Sequence, residues 1–215
     1  MHLSSYLPLI LSLIFFASAI PITKRDDNLP ARVPYVFPEP GTNEIADEIR
    51  ARRVNGTLLA LDGVLLNAPL VAQSWNGVAD VIRNHNTIPG AMRELFILRI
   101  AALNDAAYEW IQHEPVGRSE GLTSQQLRAI RLTPAFKGTV AEKVLGAEFT
   151  AALDFCDWIT KSVDVPDRVF KNLRRFLNDQ QMVEATATNG FYAFVSRFVE
   201  SLDVDGKVNT AVPIP

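Results

Sequence analysis

Apolar residues recur at helical spacing from residue 44 to residue 202, and no window sustains the alternation of period two that marks a half-buried strand. Residues 44–54 are charged and amphipathic and stop at Asn55-Gly56. Thr57 is placed to cap a second helix through Leu66, which must stop before Pro69. Residues 68–84 carry Leu70, Val71, Trp75, Val78 and Ile82 at near-helical spacing. Pro89 suits a helix start, where its missing N–H costs nothing. Residues 92–103 are apolar on nearly every side, which predicts a central, buried helix. A break at Asn104-Asp105 leads into a helix over 106–114, and Thr123 with Gln126 resembles a capping box for 124–131. Amphipathic helices follow over 140–161, 166–177 and 179–202. The pattern predicts an all-α, compact multi-helix bundle over residues 43–205, without internal repeats.

The flanks read differently. Residues 9–16 are apolar and lead to Ala17-Ser18-Ala19, so 1–19 reads as a signal peptide and the protein as secreted. The run is too short to span a bilayer, and no other segment is long and apolar enough, so no membrane span is expected after cleavage. Residues 20–42 hold five prolines and read as an extended arm. Lys24-Arg25 within it is either a second processing site or a solvated charge cluster. Asn55-Gly56-Thr57 is a glycosylation sequon if the chain is secreted, and otherwise a helix break. Residues 206–215 read as a flexible tail.

Apolar residues make up 48% of the 215, enough to build a full core. A formal charge of −3 with no long run of one sign leaves no footprint for nucleic acid, whose binders cluster Lys and Arg. With one cysteine, Cys156, the chain forms no intrachain disulfide and no Cys-x-x-Cys redox pair. Its apolar helical context predicts a buried structural thiol.

The candidate chemistry lies between residues 94 and 118. Glu109 and His113 are four apart, so a helix brings them onto one face. A carboxylate beside an imidazole orients it and raises its pKa. Tyr108 adds a phenol, and Glu94 is a carboxylate near the start of an apolar helix, where burial demands a partner. Pro115 predicts that the helix ends or kinks beside His113. The same Glu-x-x-x-His spacing also occurs on solvated faces, and Tyr108 and Trp110 also suit a core. A metal would need Glu94 or His85 to complete the set with Glu109 and His113, and none is expected. No G-x-S-x-G nucleophile elbow occurs.

Three segments together resemble the carboxymuconolactone decarboxylase-like family, which shares its fold with alkylhydroperoxidase D. The first is Leu65-Leu66-Asn67-Ala68-Pro69 with Trp75. The second runs from Pro89 through Arg93-Glu94-Leu95 and Ile97-Leu98 to Tyr108-Glu109-Trp110, His113 and Gly121-Leu122-Thr123. The third runs from Leu177-Asn178-Asp179-Gln180 through Glu184 to Tyr192 and Ser196-Arg197-Phe198. By this resemblance Glu94, Tyr108 and His113 match the Glu, Tyr and His of the alkylhydroperoxidase site, while its two cysteine positions fall on Ala106 and Glu109. Thiol peroxidase chemistry is thereby excluded, since it needs a thiolate.

The resemblance implies a cofactor-free acid–base site in which His113, held by Glu94 or Glu109, delivers a proton and Tyr108 steadies a developing oxyanion. Arg93, Arg99 or Arg118 would bind a substrate carboxylate, and Trp110 is a further substrate-binding candidate. The implied activity is decarboxylation of a small lactone or unsaturated acid. Isomerisation or cyclisation of a small secreted metabolite is the alternative, and a non-catalytic helical oligomer that binds an apolar ligand is the rival. The family also implies a homo-oligomer, a trimer or hexamer.

Overall fold

The computed structural model describes residues 31–215. The signal peptide expected at 1–19, the first part of the arm and Lys24-Arg25 lie outside the described residues. Nine α-helices are found there: α1 (Glu44–Arg52), α2 (Ala60–Leu65), α3 (Pro69–Asn84), α4 (Gly90–Leu103), α5 (Ala107–Ser119), α6 (Ser124–Leu132), α7 (Glu142–Lys161), α8 (Asp167–Leu173) and α9 (Asp179–Ser201). No strand occurs among the described residues.

The all-round apolar stretch is the axis of the bundle. Met92 and the run Leu95 to Leu98 on α4 are sealed from solvent, and α5, α6, α7 and α9 all pack around this helix. A helix surrounded by others has no face left for polar residues, which is why its sequence lacks an amphipathic stripe. Where α4 does carry charge, the charge is paired. Arg99 reaches across to α7 and grips Asp157 with both arms, Nε to Oδ1 at 2.6 Å and Nη2 to Oδ2 at 3.0 Å. Its Nη1 donates to the carbonyls of Ile130 and Thr133 at the end of α6, both at 2.8 Å.

Local signals set most boundaries. Pro69 occupies the first turn of α3, and the Thr123–Gln126 capping box opens α6 as the sequence predicts. An equivalent box, Asn178 with Gln181, opens α9. Several boundaries differ from expectation, α8 among them, which stops at Leu173; three of the differences have a clear cause. Thr57 caps nothing, because Asn55 takes a left-handed backbone in a 3-10 turn (Val54–Gly56) and the chain stays extended until Ala60. The carboxylate of Asp62 performs that task instead, accepting from the Leu59 N–H at 2.7 Å. The segment at 140–161 breaks at Gly146, whose φ of 75° suits glycine. Pro115 lies inside α5 without ending it. Its ring removes one donor only, and Gly117 beyond it packs against Leu98, so tertiary contact carries the helix on to Ser119.

Both flanks of the bundle are tied down. In the arm, Ala31 is buried, Arg32 N–H donates to the Leu202 carbonyl at 2.7 Å, and Val36 N–H donates to the Gly63 carbonyl at 2.9 Å. Gly63 is glycine for a reason: a Cβ there would meet the Phe37 ring at 2.6 Å. The segment expected as a loose tail folds back, burying Val212 and giving its carbonyl to Arg131 at 3.3 Å. The apolar Val212 finds core surface that local sequence does not reveal.

Candidate active site

Glu94 projects from the second turn of α4 and His113 from the middle of α5, two helices in close contact. Gly117 permits the closeness: a Cβ there would stand 3.1 Å from Leu98 Cδ1 and 3.6 Å from Glu94 Cβ. The result is a buried hydrogen bond of 2.8 Å between His113 Nδ1 and Glu94 Oε2. The other Glu94 oxygen faces Arg93 Nε at 3.4 Å. Both residues line a cavity of about 480 Å³ whose walls also include Arg52, Arg53, Arg83, Arg93, Tyr108 and Glu109.

Electrostatics fix the resting protonation. Burial lowers the His113 pKa, and the guanidiniums of Arg83 and Arg93 lower it further; the Glu94 carboxylate opposes them without winning. For Glu94 burial pushes upward, but His113, Arg93 and Arg83 together hold its pKa below the usual value. The pair therefore rests as carboxylate and neutral imidazole. Nδ1–H donates to Glu94, which leaves the lone pair of Nε2 without a protein partner among the described residues and available to the cavity. This corrects one expectation and decides between the two carboxylates offered. The imidazole pKa is lowered, because desolvation outweighs one carboxylate, and that carboxylate belongs to Glu94 rather than to Glu109.

Glu109 does line the cavity, but its carboxyl turns toward α9. Oε2 lies 2.7 Å from Ser196 Oγ, while Oε1 is buried without a partner. Full burial drives its pKa well above the ordinary range, with the Ser196 hydroxyl too weak to compensate, which favours the neutral acid. The Tyr108 hydroxyl accepts from the Leu61 N–H at 3.3 Å, and burial raises its pKa to about 12, so its own proton stays available.

The arginines sort themselves by placement. Arg93 is on the wall but neutralised by Glu94 and by Glu120, whose Oε1 lies 2.9 Å from Nη2. Arg99 is locked in the Asp157 pair inside the core and does not line the cavity, so it is no substrate-binding candidate. Arg118 binds Glu114 on the outer face of α5 at 2.7 Å, and the fully buried Trp110 donates its indole N–H to the same Glu114 at 2.9 Å. Both lie outside the cavity lining: position 118 falls on the helix face opposite the cavity, and Trp110 is core. Asn55 is exposed, and Thr57 of the same sequon stands on the cavity wall. Cys156 is a buried thiol against the Phe96 carbonyl at 3.6 Å, its pKa pushed up by burial.

Several participants are not singled out by the sequence. Tyr192 on α9 meets the His113 ring edge-on, with centroids 5.1 Å apart, and its hydroxyl accepts from Arg83 Nε at 2.8 Å. Ser196 sits one turn beyond Tyr192 on the same face. Arg83 reads in sequence as an ordinary solvated charge near the end of α3. Tyr192 and Ser196 fall within the third segment of the family resemblance, which gives them no role, and their four-residue spacing is as weak a signal as that of any helical pair.

Residues 69–151 match the sequence profile of the Carboxymuconolactone decarboxylase family. No curated protein matches in sequence. Among solved structures, an uncharacterized peroxidase-related protein from Silicibacter sp. TM1040 is similar with a TM-score of 0.68 at 16% identity, over 85% of this chain and 94% of that one. An alkylhydroperoxidase AhpD core protein from Ralstonia eutropha JMP134 gives 0.66 at 17% identity, over 81% and 91%. The debrominase Bmp8, solved in complex with 2,3,4-tribromopyrrole, gives 0.63 at 16%, over 80% and 89%. The family match covers residues 69–151, the likeness to these solved structures is one of fold, and the single cysteine leaves no cysteine pair.

Proposed function

We propose that this protein is an acid–base enzyme acting on a small unsaturated carboxylic acid or lactone, with His113 as the proton carrier and Glu94 as its positioning partner. The observation that carries the reading is the buried 2.8 Å Glu94–His113 bond at the wall of a 480 Å³ cavity. The cavity suits a small molecule, and the complex of the debrominase relative with a halogenated pyrrole agrees with a compound of that size.

In a decarboxylation, the bond from the substrate carbon to its carboxylate breaks, CO₂ departs and the electron pair remains as a dienolate. An anionic substrate draws one proton from solvent onto Nε2, opposing the effect of burial. The imidazolium then gives that proton to the carbanionic carbon, so one proton is consumed per turnover. Tyr108 is the donor suited to the oxygen on which charge gathers, a contact of the kind that stabilises enolate-like states.

A second reading, isomerisation or cyclisation, is favoured by the lowered His113 pKa. A neutral imidazole takes a carbon-bound proton directly and returns it elsewhere, with no net proton change. Positioned proton transfer contributes roughly 10²–10⁴-fold. Replacement of His113 with Ala is expected to remove turnover while circular dichroism and melting temperature stay close to wild type. Small-molecule mass spectrometry of a producing strain with and without the protein separates the reactions. A precursor heavier by one CO₂ marks decarboxylation, and an accumulated isomer marks the second reading. Full activity in the Ala variant would end both.

A further inference from the structure

We propose that Arg52 and Arg83 form an anion subsite on the α1/α3 wall of the cavity, taking a carboxylate of the substrate that the reaction leaves in place. The inference rests on the acid–base reading, because it orients a substrate relative to His113.

Four guanidiniums face this cavity, and two of them are already neutralised. Arg53 is paired with Asp62, Nε to Oδ2 at 2.9 Å and Nη2 to Oδ1 at 2.5 Å, and Arg93 with Glu94 and Glu120. Arg52 and Arg83 have no carboxylate partner among the described residues. Each spends only its Nε on the protein, Arg52 on Asn76 Oδ1 at 2.5 Å and Arg83 on the Tyr192 hydroxyl at 2.8 Å. The terminal nitrogens of both have no hydrogen-bond partner among the described residues, and both residues line the cavity. The bonds that are made fix each fork in place, so little side-chain freedom remains to be lost when a ligand arrives.

The two cations also repel each other. Burial first, and then the charges of Arg83 and Arg53, pull Arg52 below its usual pKa. A planar carboxylate between the forks relieves that repulsion and accepts from both, which is the geometry guanidinium recognises best. Tyr192 links the subsite to the chemistry, since its hydroxyl accepts from Arg83 and its ring makes a T-shaped contact with His113.

The bound group is one that survives turnover. A departing carboxylate loses its charge as it becomes CO₂, so gripping it between two cations would stabilise the ground state over the transition state. Anchoring a different carboxylate holds the substrate without that penalty and presents its reacting carbon to His113 Nε2.

The test uses benzoate and its uncharged isostere benzamide as probes of the intact protein, by isothermal calorimetry at low salt. Wild type is expected to bind benzoate at least ~10-fold more tightly than benzamide, one such factor being what a charge-assisted contact supplies. Arg52→Gln and Arg83→Gln are each expected to erase most of that preference while leaving benzamide binding unchanged. Arg52→Gln decides the matter if Arg83→Gln, which also frees Tyr192, fails to fold. The His113→Ala variant is expected to keep the preference, so loss of the acid–base reading and loss of the subsite give different results. Equal affinities for the two probes in wild type, or a preference that survives in Arg52→Gln, would overturn the subsite.

Discussion

At the Glu94–His113 pair, chemistry depends on which partner holds the proton. The resting form is the neutral imidazole, and its pKa lies below the ordinary ~6.5. For isomerisation, in which that imidazole takes the proton, the rate at low substrate is expected to rise with pH through a midpoint below that value and then level off; for decarboxylation, which needs the proton on Nε2, it is expected to fall through the same midpoint. In Glu94→Gln the carboxylate that raises His113 is gone, so the midpoint should move further down and the plateau should fall as the tautomer loses its anchor. A midpoint that moves up would contradict the assignment of Glu94. Glu109 makes the opposite linkage. Its folded-state pKa is raised, so its neutral form contributes stability fully present below the unfolded value, ~4.3, and lost as pH rises above it. Glu109→Gln keeps the neutral shape, and its stability relative to wild type should grow steadily from about pH 4.5 toward pH 8 in urea titrations. A constant difference across that range would mean Glu109 is ionised in the fold.

Among the elements, α4 decides most. It carries Glu94 to the cavity near one end and Arg99 to the core near the other. The Arg99–Asp157 pair fixes α4 against α7, and Asp157 also accepts from the Phe136 N–H at 2.8 Å. Removing one charge from such a buried pair leaves the other stranded. Asp157→Asn is expected to cost ~3–5 kcal/mol in chemical denaturation, while the double change Arg99→Met with Asp157→Leu recovers most of that loss. A single variant as stable as wild type would show that the pair is not desolvated. Helix start signals were legible because they are local. The Thr123–Gln126 box acts within one turn, and Pro69 and Pro89 mark starts through their own missing N–H. Thr57 failed as a cap because an alternative acceptor, Asp62, was already held in place by Arg53. Pro115 failed as a stop because packing around Gly117 outweighs one lost hydrogen bond.

For the whole molecule, the outer face of α3 and α9 is the feature still uncovered. Leu70, Val71, Val78 and Phe194 are exposed beside Trp75 in a shallow apolar groove. Patches of this kind mark contact surfaces in soluble proteins, which agrees with the homo-oligomer the family resemblance implies. Light scattering is expected to return a trimer or hexamer; a monomer at micromolar concentration would oppose it. The division between what sequence determined and what folding decided follows from range. The 3.6-residue period, the capping residues and the all-round apolar character of α4 are properties of neighbouring positions, so the all-α class, the helix order and the central helix were readable from the chain alone. So was the presence of an imidazole and two carboxylates near one another in the helix list. Which carboxylate reaches His113 was not, because its partner lies 19 residues away on another helix whose approach depends on Gly117. The direction of the His113 shift and the choice of Arg52 and Arg83 over Arg99 and Arg118 were settled only in three dimensions, since desolvation and the facing of a side chain depend on everything that packs around it.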